Sequence, residues 1–78
     1  MTTRGELEQT LAQMPEVEEA TVVGEQSLVA TVASEAFRDQ DEAQRQEAVW
    51  RYLRKQLGSN ALQNIEFILT STRDENAA

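Results

Sequence analysis

The stretch SEAFRDQDEAQRQEAVWRYLRKQLG, from Ser34 to Gly58, reads as an amphipathic helix with a defined start and stop. Asp39 and Glu42 stand at capping-box spacing, which predicts a start near Gln40. From there to Leu57 the chain has no glycine or proline and a single β-branched residue, Val49. Gly58 follows, where a left-handed terminator is expected. Ala43, Trp50, Leu53 and Leu57, with Val49 beside them, place one apolar stripe along the whole length. Gln44, Glu47, Arg51, Arg54 and Lys55 take the opposite face. Acidic residues gather in the first half and basic ones in the second, as the helix dipole favours, and Asp41 with Arg45 and Glu47 with Arg51 form i,i+4 pairs.

Upstream of this helix, Thr3 and Glu6 repeat the capping-box spacing, and Leu7, Leu11 and Met14 supply a short apolar stripe. Pro15 closes that first helix, because the residue before a proline avoids helical dihedrals and the chain turns extended near Met14. Val17 to Val23 is strand-like, with Ala20 and Val22 on one face, and Glu19 and Thr21 on the other together with Val17 and Val23. Gly24-Glu25-Gln26-Ser27 has turn character. Leu28 to Ser34 follows as a hairpin partner buried on both faces or packed under helices. Downstream, Ser59 to Leu62 is a connector, and Ile65 to Thr70 alternates Ile65, Phe67 and Leu69 against Glu66, Ile68 and Thr70 as a third strand. Residues 71–78 read as a polar tail that frays at Asn76-Ala77-Ala78. The order predicts an α+β fold of two layers, α-β-β-α-β, with a three-stranded sheet carrying two helices on one face. At 78 residues the chain is one small domain whose core is limited.

Composition narrows the chemistry. The chain holds no cysteine and no histidine, so thiol nucleophiles, disulfides, zinc-finger ligands and imidazole acid–base catalysis are all excluded. The net charge of −7 argues against nucleic-acid binding, which needs a basic surface, and the cluster Arg51, Arg54, Lys55 is too small to reverse it. No apolar run approaches membrane-spanning length and no signal-peptide pattern opens the chain, so a cytoplasmic location is expected. Gly5, Gly24 and Gly58 are isolated and form no phosphate-cradling loop. Glu16, Glu18, Glu19 and Glu25 lack the convergent spacing of a calcium loop and read as a solvated acidic surface. Ser34, Ser59 and Ser71 have no base to activate them, since Lys55 is the only lysine. No catalytic residue, metal ligand or cofactor is expected. Trp50 belongs to the core, Tyr52 lies at the border of the stripe where it can serve an interface, and the free edge of the sheet is a second place for a partner to pair.

Ser34-Glu35-Ala36-Phe37, then Arg45, Val49, Trp50 and Leu53, and finally Thr70-Ser71-Thr72-Arg73-Asp74-Glu75, resemble the BolA-like family. There a "VVSEAF" strand end leads into a helix carrying "RHRLVY" or "RQQLVY", and the last strand ends in "TxTPEE". Such proteins usually place a histidine six residues before the first threonine of the last motif, where it helps hold an iron–sulfur cluster shared with a monothiol glutaredoxin. That position here is Asn64, a poor ligand for iron; Asp39 replaces a glycine and Arg73 the proline of the last motif. The resemblance therefore implies the fold and a small binding or regulatory role, without the cluster. Gly5-Glu6-Leu7-Glu8, Leu11, Pro15, Val17, Ala20, Val22-Val23-Gly24 and Leu28-Val29-Ala30 are also similar to the C-terminal subdomain of adenylate-forming enzymes. The Gly-Lys motif that ends that subdomain is missing, which implies at most an accessory to a larger enzyme. The expectation is a non-enzymatic module acting on an unidentified protein partner or on a second copy of itself, through Asn64, Arg45, Tyr52, Arg51 and Lys55.

Overall fold

The computed structural model describes residues 1–77. It contains α1 (Arg4–Ala12), β1 (Val17–Val23), β2 (Leu28–Ser34), α2 (Glu42–Leu57), β3 (Ile65–Ser71) and α3 (Arg73–Ala77), with 3-10 turns at Glu35–Phe37 and Ser59–Leu62. The sheet order is β1-β2-β3. β1 pairs antiparallel with β2 through the tight turn at Gly24, whereas β3 runs parallel to β2 and needs the crossover that α2 supplies.

One face of the sheet and the two long helices share a single core. Leu7 and Leu11 of α1, and Val49 and Leu53 of α2, pack with Val22, Leu28, Ala30, Val32, Ile65 and Ile68. Phe37, at the end of the first 3-10 turn, and Leu62, in the second, plug the ends of that layer. The two-layer α+β architecture is as the element order implies, with the apolar stripe of α2 laid on the sheet. Trp50 and Leu57 are half-buried against this core, but Ala43 is exposed.

Three local readings need correction. α2 starts two residues later than Asp39 implies: Asp41 is the N-cap, its side chain accepting from Gln44 N–H at 2.8 Å, while Gln44 Oε1 accepts from Asp41 N–H at 2.9 Å. Asp39 and Gln40 are used up in closing the 3-10 turn, where Gln40 N–H donates to the Phe37 carbonyl at 3.1 Å. Strict alternation fails in both outer strands. A bulge between Val17 and Glu19 turns Val17 back onto the core side, and one between Ile65 and Phe67 places Ile65 with Ile68 inside and leaves Phe67 and Leu69 outside. The tail from Ser71 is not structureless. Ser71 completes β3, and Thr72 with Glu75 forms a reciprocal cap, Glu75 N–H to Thr72 Oγ1 at 3.3 Å and Thr72 N–H to Glu75 Oε1 at 3.0 Å, that starts α3. Of the fraying expected at Asn76-Ala77-Ala78, Asn76 and Ala77 instead belong to α3, and Ala78 lies outside the described residues.

Candidate functional site

The five residues picked out from the sequence do not converge. Asn64 sits at the entry to β3 and is committed to the chain itself. Its Oδ1 accepts from Thr2 N–H at 3.3 Å and its Nδ2 donates to the Thr2 carbonyl at 2.8 Å, so the carboxamide acts as a strand partner for the N-terminal segment. Its own carbonyl accepts from Leu28 N–H at 2.9 Å, which sets the start of the β2–β3 ladder. A shallow groove lies beside it, lined by Thr2, Glu25, Gln26, Ser27 and Gln63.

Arg45 is likewise internal in role. Its Nε donates to the carbonyls of Phe37 and Gln40, both at 3.0 Å, and its guanidinium reaches Glu75 at 3.0 Å while lying 5.8 Å from the centre of the Phe37 ring. The i,i+4 pair expected with Asp41 is not made, because Asp41 caps the helix and Arg45 turns toward the C-terminal segment. That ion pair holds the Glu75 carboxyl below the usual carboxylate range, the Arg45 hydrogen bond first and the Thr72 backbone N–H second. Tyr52 packs half-buried between the helices, where its hydroxyl donates to the Thr10 carbonyl at 3.2 Å. Only Arg51 and Lys55 are exposed, one turn apart on the outer face of α2, and Arg51 pairs with Glu47 as its spacing predicts.

The free edges of the sheet are guarded. On β1, Val22 N–H donates to the Glu8 carboxylate of α1 at 3.3 Å, and on β3 the Ile68 carbonyl accepts from Gln46 Nε2 of α2 at 2.7 Å. Gln46 is held in turn by Glu42 and by the Trp50 indole N–H, and Glu42 also accepts from the Thr70 hydroxyl at 3.1 Å. Helix side chains thus occupy mid-strand groups that an incoming strand would need.

What remains uncovered is the larger part of the sheet face turned away from α1 and α2. The register aligns Val23, Val29 and Phe67 in one row and Thr21, Thr31 and Leu69 in the next. Val23 is 56% exposed, Phe67 47% and Leu69 53%, the exposed large hydrophobic residues other than Met1 among the described residues. The third row, Glu19, Ala33 and Ser71, is not bare, since Ala33 and the Ser71 hydroxyl are buried at the end of the sheet where α3 packs on β2 and β3; the three rows contain no lysine or arginine. An apolar patch shared by three adjacent strands differs from scattered surface leucines, since its members are in register and can be covered together. Residue-by-residue reading missed it, because only the bulge at Glu66 tells which half of the Ile65–Thr70 alternation faces outward.

Among the described residues no group of three acidic side chains stands close enough to hold a metal ion, and no helix is long and apolar enough to cross a membrane. The fold and this surface define a small α+β domain with one sheet face covered by α1 and α2 and the other largely bare. No family model matches the chain, and neither a curated protein nor a solved structure matches it.

Proposed function

We propose that this chain is a non-catalytic protein-interaction or regulatory module of BolA-like type, working in the cytoplasm, whose contact surface is the bare sheet face. The observation that carries the interaction reading is the exposed trio Val23, Phe67 and Leu69 on two adjacent rows of one sheet face. Exposed apolar area is a cost in water that a partner removes. Three further features support the BolA-like assignment: the motif in register from Ser34 to Leu53, the order of elements, and the capped segment that begins at Thr72. The Thr72-to-Glu75 cap and its tie to Arg45 give a structural use to residues that the resemblance matched only by type.

The glutaredoxin-linked cluster does not fit this chain. Both polar ends of the Asn64 amide are engaged by the Thr2 backbone, and a neutral carboxamide is a weak donor to iron in any case. Mixing the protein with a cluster-loaded monothiol glutaredoxin should therefore leave the visible absorbance unchanged; a shifted spectrum would refute this. The module reading itself is tested by amide chemical-shift mapping of the labelled chain against candidate partners, including an adenylate-forming enzyme. Shifts confined to Val23, Val29, Phe67 and Leu69 are expected. Turnover of a small molecule by the purified chain would end the non-catalytic reading. A homodimer is the other way to cover the same face, and light scattering at high concentration distinguishes it.

A further inference from the structure

We infer that the bare sheet face takes one amphipathic helix of a partner protein, with lysine or arginine flanking its apolar stripe; this rests on the interaction reading above and specifies the partner. Size is the first ground. Three strands about 4.8 Å apart, with about five residues of each clear of the α3 end where Ala33 is buried, at about 3.3 Å per residue, span a footprint of roughly 14 by 16 Å, about 230 Å². Specific interfaces of any kind bury about 800 Å² of accessible surface per partner, so a face this small suits a transient contact with a single element of a partner. A helix about 10 Å across lays about three turns, about 16 Å, along it.

Charge is the second ground. The three rows hold Glu19 and no cation, Glu25 is exposed in the turn beside Val23, and Glu66 is exposed in the bulge beside Phe67. Arg73, at the α3 end of the sheet, lies 3.9 Å from Glu18. A second copy would bring another acidic rim and another −7 to this surface. Basic residues beside an apolar stripe complement it instead. Strand addition at the edges is disfavoured by Glu8 and Gln46, which leaves the face as the accessible surface.

The test uses the full chain, labelled with ¹⁵N, and three synthetic helical peptides of about 14 residues with identical leucine spacing and lysine, glutamine or glutamate on the polar face. The lysine peptide is expected to shift the amides of Val23, Val29, Phe67 and Leu69, with affinity falling as salt rises. Leu69→Glu is expected to weaken that binding at least tenfold, although it makes the chain more acidic. Binding that is unchanged or tighter in Leu69→Glu marks general charge attraction and overturns the inference. Leu69→Ser gives the same test without a new charge should the glutamate variant fail to fold. If the glutamine or glutamate peptide binds this face as well as the lysine peptide does, the basic helix is wrong while the interaction reading stands. A concentration-dependent dimer burying these amides replaces the helix with a second copy. Should no peptide and no rise in concentration move them, the bare face is not a contact surface and both readings fall.

Discussion

Glu16 is the one non-glycine residue with positive φ among the described residues, at 69°. It follows Pro15 in a turn closed by Val17 N–H to the Met14 carbonyl at 3.2 Å, the pattern of a type II turn whose third position favours glycine. Its carbonyl is held by the Ser34 hydroxyl at 2.7 Å, so the surrounding structure maintains the strained backbone. Glu16→Gly should relieve about 1 kcal/mol and raise Tm by about 4–8 °C in a thermal melt. Gly24 behaves in the opposite sense: at φ 103°, an added Cβ would stand 2.1 Å from the Ser27 carbonyl oxygen. Gly24→Ala should cost about 1–3 kcal/mol in a denaturant titration, with the loss read as a lower midpoint. Asn64→Ala removes both bonds to Thr2 and should cost about 1–2 kcal/mol, with faster amide exchange at Thr2 as its signature.

Elements were legible where local chemistry acts alone. α1 is capped at Thr3, whose hydroxyl accepts from Glu6 N–H at 3.1 Å, as the spacing implies. β1 ends where Gly24 begins the turn, and α2 ends at Gly58, although Gly58 adopts φ 84° and ψ 153°, a region reserved to glycine rather than the left-handed helical one expected. α3 was missed although its signal was present: Thr72 and Glu75 repeat the spacing already used for Thr3 and Glu6. A helix of five residues does not hold itself together, and this one is anchored by Arg45 to Glu75 and Arg38 to Asp74. Because the Glu75 carboxyl lies below its ordinary value, the anchor contributes in full above about pH 4.3, the usual glutamate value, and fades as pH falls through the lower folded value. In an acid titration followed by the Thr72 amide, α3 should loosen in that window. Glu75→Gln should be loose already at pH 7 and lose the transition.

At the scale of the molecule, the core is one-sided. All four helix anchors, Leu7, Leu11, Val49 and Leu53, are fully buried against one face, and the opposite face exposes Phe67 and Leu69. Replacing Phe67 and Leu69 together by serine should therefore leave Tm within a few degrees while raising solubility, whereas Leu53→Ala, which opens a cavity in the core, should cost about 2–5 kcal/mol. Equal losses from the two changes, measured by thermal unfolding, would show that the bare face is part of the stabilising core. The candidate site was not legible in the sequence for the same reason. Arg45, Asn64 and Tyr52 are polar or amphipathic residues that attract notice in a sequence, and each bonds inward, while the surface that stands free is made of valine, phenylalanine and leucine.

The sequence alone determined the helix stripes, the first cap, the hairpin turn at Gly24 and the lack of thiol and imidazole chemistry, because each depends on residues within a few positions of one another. Tertiary structure decided the parallel pairing of β3, the two bulges, the anchoring of α3 and the closing of the sheet edges by Glu8 and Gln46. Each of these is a choice between arrangements of nearly equal local energy. One extra residue in a strand reverses every side chain beyond it, and only the fit against α2, through Ile68 and Thr70, selects which row is buried.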